Sequence, residues 1–303
     1  MDVLLVRAGA LGDVVLLRVA VSALRRAGHG VRLLAPATPG SVLVGPGEAD
    51  ALFALDGAAM AAALSGEPPA DAALALRADA TVALTRSPDL LETLERFTPR
   101  LLARDPEPPP GTHAAWWLAA PVRDLGAADG TLEPPAPMRF TAEEQRAVGA
   151  LAAALPAGFL AIHPGSGRAT KNWPAARFAG LVRARTSGKP WLLVKGPADD
   201  EAAAALAGVP DAVCADGLPP RGLGALLSAA GLYVGNDSGV SHLAAAAGAP
   251  TLALFGPTEP ATWAPVGPRV GTVRSPDGTM AGLSLEAVLQ AAEALFRSTT
   301  PHP

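Results

Sequence analysis

The sequence predicts an α/β protein built from two doubly wound, parallel-sheet domains that face each other across a cleft. Three observations carry that prediction. Short apolar runs alternate with segments of helical spacing, the pattern of strands buried on both faces and joined by crossover helices. A Pro-rich breaker, "GTLEPPAPMRF" (130–140), interrupts the alternation near mid-chain, and a fresh series begins after it. The 303 residues suffice for two domains of ordinary size. We therefore expect domains 1–138 and 139–303, with the last helix a candidate to pack back on the first.

The first domain opens with "VLLVR" (3–7), an apolar run of strand length, followed by "AGALGD". Residues 13–27 have helical spacing, with Arg25 and Arg26 in the last turn and Gly28 as a stop. "VRLLA" (31–35) is the next strand, ended by Pro36 and Pro39, which completes a right-handed βαβ unit. "ALFALD" (51–56), "AALALRA" (72–78) and "TVALT" (81–85) look like strands, and 88–97 and 113–125 like helices. The second series reads helix 142–155, strand 158–163, helix 174–186, strand 191–195 and helix 199–207. It continues with helix 221–230, strand 232–235, helix 239–247, strand 251–255 and a last helix at 284–297.

Composition bounds the function. Half of the residues are hydrophobic but only 4% aromatic, so Ala, Leu and Val must build the core. Gly (32) and Pro (31) make up about a fifth, below the level of disordered chains. A net charge of −4 without a long basic run excludes the electrostatic footprint of a nucleic-acid binder. The single Cys214 rules out a disulfide framework and any CxxC metal site. Residues 14–24, "VVLLRVAVSAL", are too interrupted by charge for a signal peptide, and no run approaches the roughly 18 apolar residues of a membrane span. A cytoplasmic protein is expected, and the sequon Asn236-Asp237-Ser238 then has no meaning.

In doubly wound sheets, ligands bind beyond the carboxyl ends of the strands, so the loops there are informative. In "LYVGNDSGVSHLAAAAG" a strand ends in Gly-Asn-Asp-Ser-Gly and a helix begins. The free amides of Ser238, Gly239 and Val240 make that helix start an anion site suited to phosphate, although Asp237 or Ser238 could equally be a plain N-cap. Asp237 would repel a phosphate set directly on it, so a sugar hydroxyl is the better partner. The second loop, "IHPGSGRATKNWPAARFAGL" (162–181), offers Ser166, Thr170 and Lys171 as donors to phosphate oxygens, though a lone Lys is most often a solvated one. His163 lines the cleft or is a structural histidine. Neither a Walker A loop nor a GxGxxG exists in the chain. The third loop, "RAGALGD" (7–13), puts Asp13 at a helix start, where it is a cap or a general base facing the phosphate site.

Together these segments resemble glycosyltransferase family 9, the bacterial ADP-heptose heptosyltransferases. The matching pieces are "GDVVLLRVAVSALRRAG", "HPGSGRATKNWPAARFAGL" and "VGNDSGVSHLAAAAGAPTLALFGPTEPATWAP", in the family's order along nearly the whole chain. The resemblance implies a GT-B architecture of two Rossmann-like domains with the nucleotide-sugar in the second, and metal-independent, inverting transfer without a cofactor. It implies Asp13 as the catalytic residue, Thr170 and Lys171 on the donor diphosphate, and Asp237, Ser238, Gly239 and His242 on the nucleotide-sugar. Either Asp200 or Glu201 would reach the ribose. The expected partners are a nucleotide-diphosphate sugar, with ADP-heptose first, and a glycan or glycolipid acceptor that could place the protein at the inner membrane surface. Gly9-Ala10 stand where members often have a Ser pair, and the first half is poor in Lys, which argues against an acceptor with several phosphates. Two alternatives remain: a nucleotide-sugar epimerase, which would isomerise donor alone, and a degenerate module that binds nucleotide-sugar without turnover.

Overall fold

The computed structural model describes residues 1–126, 132–196, 199–206 and 208–297. The chain divides into two compact units, Met1–Pro135 and Ala136–Pro303. In the first, β1 (Asp2–Arg7), β2 (Gly30–Ala35), β3 (Ala51–Ala54), β4 (Ala80–Leu84) and β5 (Leu101–Arg104) form a parallel sheet in the order β3-β2-β1-β4-β5. The order reverses between β1 and β4, the position beyond which ligands bind in sheets of this kind. Leu4, Val6, Leu34, Met60 and Leu94 pack into one buried cluster of this unit.

The expected helix at 13–27 is two, Leu11–Val15 and Arg18–Arg26, parted by a turn at Leu16 and Leu17. Gly28 follows in the left-handed region at φ 76°, where a side chain would be strained. The strand expected at 72–78 is instead part of helix Ala70–Leu76. Ala and Leu are strong helix formers, Asp71 favours the first turn, and one turn of spacing brings Ala72 and Leu76 onto the same buried face. Leu74, on the far side, is 70% exposed, which a buried strand would not allow. Helix Ala58–Leu64 and β5 had no counterpart in the sequence reading.

In the second unit, β6 (Leu160–His163), β7 (Trp191–Lys195), β8 (Ala212–Asp216), β9 (Leu232–Asn236), β10 (Thr251–Phe255) and β11 (Val270–Arg274) form a parallel sheet. Its order is β11-β10-β9-β6-β7-β8, so the reversal falls between β6 and β9. β6, β9 and β10 are buried throughout, as a sheet covered on both faces requires. Trp173, Phe178, Trp191, Val234, Leu254 and Val288 lie in one core cluster.

The helix expected at 142–155 is again two, Ala142–Ala147 and Gly149–Ala153. The first starts in a capping box: Thr141 Oγ1 accepts from the Glu144 amide at 3.2 Å, and Glu144 Oε2 from the Thr141 amide at 2.7 Å. In the last helix, Leu285–Arg297, Val288, Ala292 and Leu295 join the core of the second unit and Arg185 pairs with Glu293. No described helix is long and apolar enough to cross a membrane.

Candidate functional site

The site of the second unit grows out of the two strands that flank its reversal. β9 ends at Asn236, Asp237 and Ser238 follow, and helix Gly239–Ala246 starts with Ser238 as its N-cap. Ser241 and His242 donate the first ladder bonds, to Ser238 O at 3.1 and 3.3 Å. The amides of Ser238, Gly239 and Val240 lie ahead of that ladder and carry the positive end of the helix dipole. Ser238 fills the N-cap position without a side-chain capping bond. Its hydroxyl is engaged sideways instead.

Asn236, with no exposed surface, organises the loop from the neighbouring strand. Its Oδ1 accepts from the Trp173 amide at 3.0 Å, and its Nδ2 donates to the carbonyls of Pro164 at 2.8 Å and Gly165 at 3.2 Å. One side chain at the tip of β9 thus fixes both ends of the loop after β6. The far end has a second anchor, because Trp173 Nε1 donates to Leu283 O at 2.8 Å and Arg177 Nη1 to the same carbonyl at 2.6 Å.

Within this loop Lys171 reaches across to Asp237, Nζ to Oδ2 at 2.6 Å. Thr258, from the loop after β10, donates to the same oxygen at 2.7 Å. Asp237 is buried, with two donors on one oxygen, which offsets the cost of sheltering its charge. The second-unit residues expected on the diphosphate therefore gather at one helix tip, except that Thr170 is exposed on the one-turn 3₁₀ helix Ala169–Lys171. Ser166 turns inward, its Oγ within 2.6 Å of Asn172 Oδ1 and 2.7 Å of Arg168 O. His242 is buried on helix Gly239–Ala246. Asp200 and Glu201 separate clearly. Asp200 is 82% exposed at its side chain and pairs with Lys195 at 2.8 Å, whereas Glu201 lines a cavity of about 390 Å³ together with Ser166, Arg168, Asn172 and Trp173.

A buried pair absent from the expected site lies behind Ser238. His163, the last residue of β6, has Nε2 2.8 Å from Asp199 Oδ2 and Nδ1 3.2 Å from Ser238 Oγ. Asp199 Oδ2 also accepts from the Gly196 amide at 2.8 Å. Burial pushes the Asp199 carboxyl up, but the hydrogen bond and charge of His163 and the Gly196 amide together outweigh it and leave it below its ordinary value. The carboxylate fits only because Gly165 has no side chain: a Cβ there would meet Asp199 Oδ1 at 1.7 Å.

In the first unit, Asp13 lies in helix Leu11–Val15, which follows β1 at the reversal point of its sheet. Its Oδ2 accepts from the Ala10 amide at 3.0 Å, so the capping reading is realised. Its Oδ1 lies 2.5 Å from Nη2 of Arg7, the last residue of β1. Arg7 is nearly buried while Asp13 keeps 30% of its side chain exposed, so the guanidinium backs a carboxylate that still faces outward. A Cβ at Gly9 would fall 2.5 Å from that of Asp13, which accounts for glycine there. Among the described residues, no group of three or more His, Cys, Asp or Glu could hold a metal ion.

The sequence profile of glycosyltransferase family 9 (heptosyltransferase) matches residues 117–292, more than half of the chain. The chain belongs to that family. This family 9 chain is 38% identical over 108 residues to lipopolysaccharide heptosyltransferase 1 of Pseudomonas aeruginosa, a match covering 34% of this chain and 30% of that protein. It is 32% identical over 114 residues to lipopolysaccharide heptosyltransferase 3 of Escherichia coli, covering 35% and 34%. The chain thus spans about a third of the length of the curated relatives it matches. Its fold is that of the solved family members. A family 9 glycosyltransferase of Veillonella parvula superposes with a TM-score of 0.82 at 19% identity, covering 98% of this chain and 97% of that one. An E. coli heptosyltransferase solved with ADP gives 0.74 at 18% identity, covering 97% and 100%. Two Rossmann-like units in a GT-B architecture is therefore the fold class of this family 9 chain.

Proposed function

We propose that this protein is an inverting, metal-independent glycosyltransferase that moves a heptose from ADP-heptose to a hydroxyl of a cell-envelope glycan or glycolipid, lipopolysaccharide among them. One observation carries the reading: Lys171, Asp237 and Ser238 converge on a helix N-terminus at the strand-order reversal of the second unit. Family membership and the ADP and ADP-heptose analogue named in the solved E. coli relatives support the choice of donor.

In this reading the donor diphosphate sits on the Ser238, Gly239 and Val240 amides, with Lys171 and Thr170 donating to its oxygens. Those groups offset the charge that grows on the departing nucleotide diphosphate. Asp237, held by Thr258, accepts from the sugar hydroxyls beside His242, and Ser166 and Glu201 take the nucleoside side. Glu201 is preferred to Asp200 because it lines the cavity while Asp200 is turned out to Lys195. Residues 1–138 form the acceptor domain and 139–303 the donor domain. Asp13, fixed by Arg7 and the Ala10 amide, takes the proton of the acceptor hydroxyl as that oxygen attacks the anomeric carbon. No cofactor is needed, because oxygen substitution at an anomeric carbon requires only a base and a stabilised leaving group. The protein works on the cytoplasmic side, at the membrane surface when its acceptor is a lipid.

The test is to incubate ADP-heptose with an acceptor panel at defined pH and follow ADP release and a glycosylated product of inverted anomeric configuration. An isomerised sugar from donor alone would favour an epimerase. Donor binding with no product over the whole panel would leave a binding module.

A further inference from the structure

The buried pair His163–Asp199 is unused by the reaction above, yet it touches the donor site through one atom, Ser238 Oγ. Its makeup is that of a hydrolase triad, but Ser238 has the relaxed extended backbone of an N-cap (φ −150°, ψ 162°) rather than the strained turn of an exposed nucleophile. The pair must act on the serine in another way.

The hydrogen-bond chemistry says how. A neutral imidazole has one N–H, and an imidazolium has two. With the N–H of a neutral ring on Nε2, directed at Asp199, Nδ1 is an acceptor and the Ser238 hydroxyl donates to it. That points the serine hydrogen back into the protein. When His163 is protonated, Nδ1 also donates, Ser238 Oγ becomes the acceptor, and its hydrogen is released toward the helix tip. A serine with its hydrogen directed outward adds a donor to the three amides already aimed at the anion. Two other hydroxyls share Ser238 Oγ: Ser241 Oγ, 3.4 Å away, donates to Asn236 O at 2.5 Å and can accept from Ser238, and the Tyr233 hydroxyl, 3.1 Å from Ser241, also bonds Ser238. A bound diphosphate, being charged, is the stronger acceptor for the hydrogen that Nδ1 no longer takes. Burial pushes the Tyr233 phenol well above its ordinary range, so it remains a neutral donor.

We propose that His163 is a positioning residue whose protonation turns the Ser238 hydroxyl toward the donor diphosphate, so that donor binding takes up a proton. The inference rests on the donor-site reading given above. The charged and titratable groups around the imidazole are Asp199 behind it, Tyr233 on the adjoining strand, and His242 on helix Gly239–Ala246. The Lys171–Asp237 pair stands next to Ser238, and Lys195 ends β7 with its charge taken by Asp200 and Asp216. Asp199 is the one that stabilises the imidazolium directly. The proton comes from solvent and leaves with the product, so no other species is consumed.

The experiment is calorimetric titration of the full chain with ADP-heptose, whose diphosphate is esterified at both ends and has no group titrating near neutral pH. Runs in buffers of different ionisation enthalpy, from pH 6 to 8, give protons taken up per ligand. The native protein is expected to take up a fraction of a proton on binding, with affinity falling as pH rises wherever that fraction is non-zero, and by no more than about tenfold per pH unit. His163→Asn, which keeps a donor amide toward Ser238, should bind with no proton uptake and a flat pH profile. Ser238→Ala, which leaves the His163–Asp199 pair intact, should lose the uptake as well. Native binding without proton uptake overturns the inference and leaves the donor site standing. Absence of ADP-heptose binding at every pH overturns the donor-site reading, and this inference with it.

Discussion

Asn236 offers a sharp test of how the fold builds the site. Replacing it with Leu keeps a side chain of similar bulk at a fully buried position but removes one acceptor and one two-handed donor. The Trp173 amide and the carbonyls of Pro164 and Gly165 are then left in an interior that water does not reach. An unsatisfied buried polar group costs roughly 1–3 kcal/mol, and carbonyls with two lone pairs sit toward the lower end. Three such groups give about 3–6 kcal/mol, a large part of the stability expected of one domain. The only relief open to the chain is to peel the loop after β6 away from β9, which trades stability for the placement of Lys171. Asn236→Leu should therefore lower the urea midpoint of the native chain and weaken ADP binding together. Asn236→Asp is the companion variant, since it still accepts from Trp173 but sets a carboxylate oxygen against two carbonyls. An Asn236→Leu protein within about 0.5 kcal/mol of native stability, with unchanged ADP affinity by calorimetry, would refute the reasoning.

Further outcomes follow from the same contacts. Lys171→Ala removes a charged hydrogen bond worth about 1.5–3 kcal/mol, so ADP affinity should fall by roughly tenfold to a hundredfold; unchanged calorimetric binding contradicts its assignment. Asp13→Asn should cut turnover by about 10²–10⁴ while leaving the dissociation constant of ADP-heptose in place, and normal turnover removes Asp13 from the mechanism. Arg7→Met, which frees the Asp13 carboxylate to rotate, should lower kcat at least tenfold with donor KM unchanged; a change in KM alone would place Arg7 elsewhere. The hydrogen bond from Arg221, outweighing burial, holds the Glu144 carboxyl below its usual range. Such a group stabilises the fold above the unfolded-state carboxylate value, about 4.3, and ceases to do so as pH falls through its depressed folded value. Glu144→Gln should thus lower stability at pH 7 and flatten the loss below about pH 4, and urea midpoints that run parallel to the native ones from pH 7 to 3 contradict it.

The buried strands were legible because both faces of β1, β4, β6, β9 and β10 must be apolar, which leaves continuous runs such as Val3–Val6 and Thr251–Phe255. Strands β5, β8 and β11 escaped for the converse reason. They form sheet edges, so half-exposed stretches such as Ala212–Asp216 carry no hydrophobic signature. The 72–78 segment misled because alternating Ala and Leu satisfy a helix as well as a strand. Of the candidate residues, Lys171, Asp237 and Ser238 in the second unit and Asp13 in the first are legible because each follows a strand and stands near a helix start. Arg7, Thr258 and Asn236 are not, since what gives them a role is a partner on another loop. His163 is visible in the sequence only as an ambiguous residue, because its two partners, Asp199 and Ser238, lie 36 and 75 positions away.

The tie between the loop after β6 and Leu283 bears on how the protein comes into being. A nascent chain emerges amino end first, and its leading domain can fold while the rest is still being made. The first sheet closes with β5, so it can form early. The loop after β6 cannot be secured until the carbonyl of residue 283, held by Trp173 and Arg177, has left the ribosome. Premature termination after the first unit but before that residue would yield a protein with an intact front half and a rear half lacking this anchor, one that quality control would meet as a client rather than as a weak enzyme.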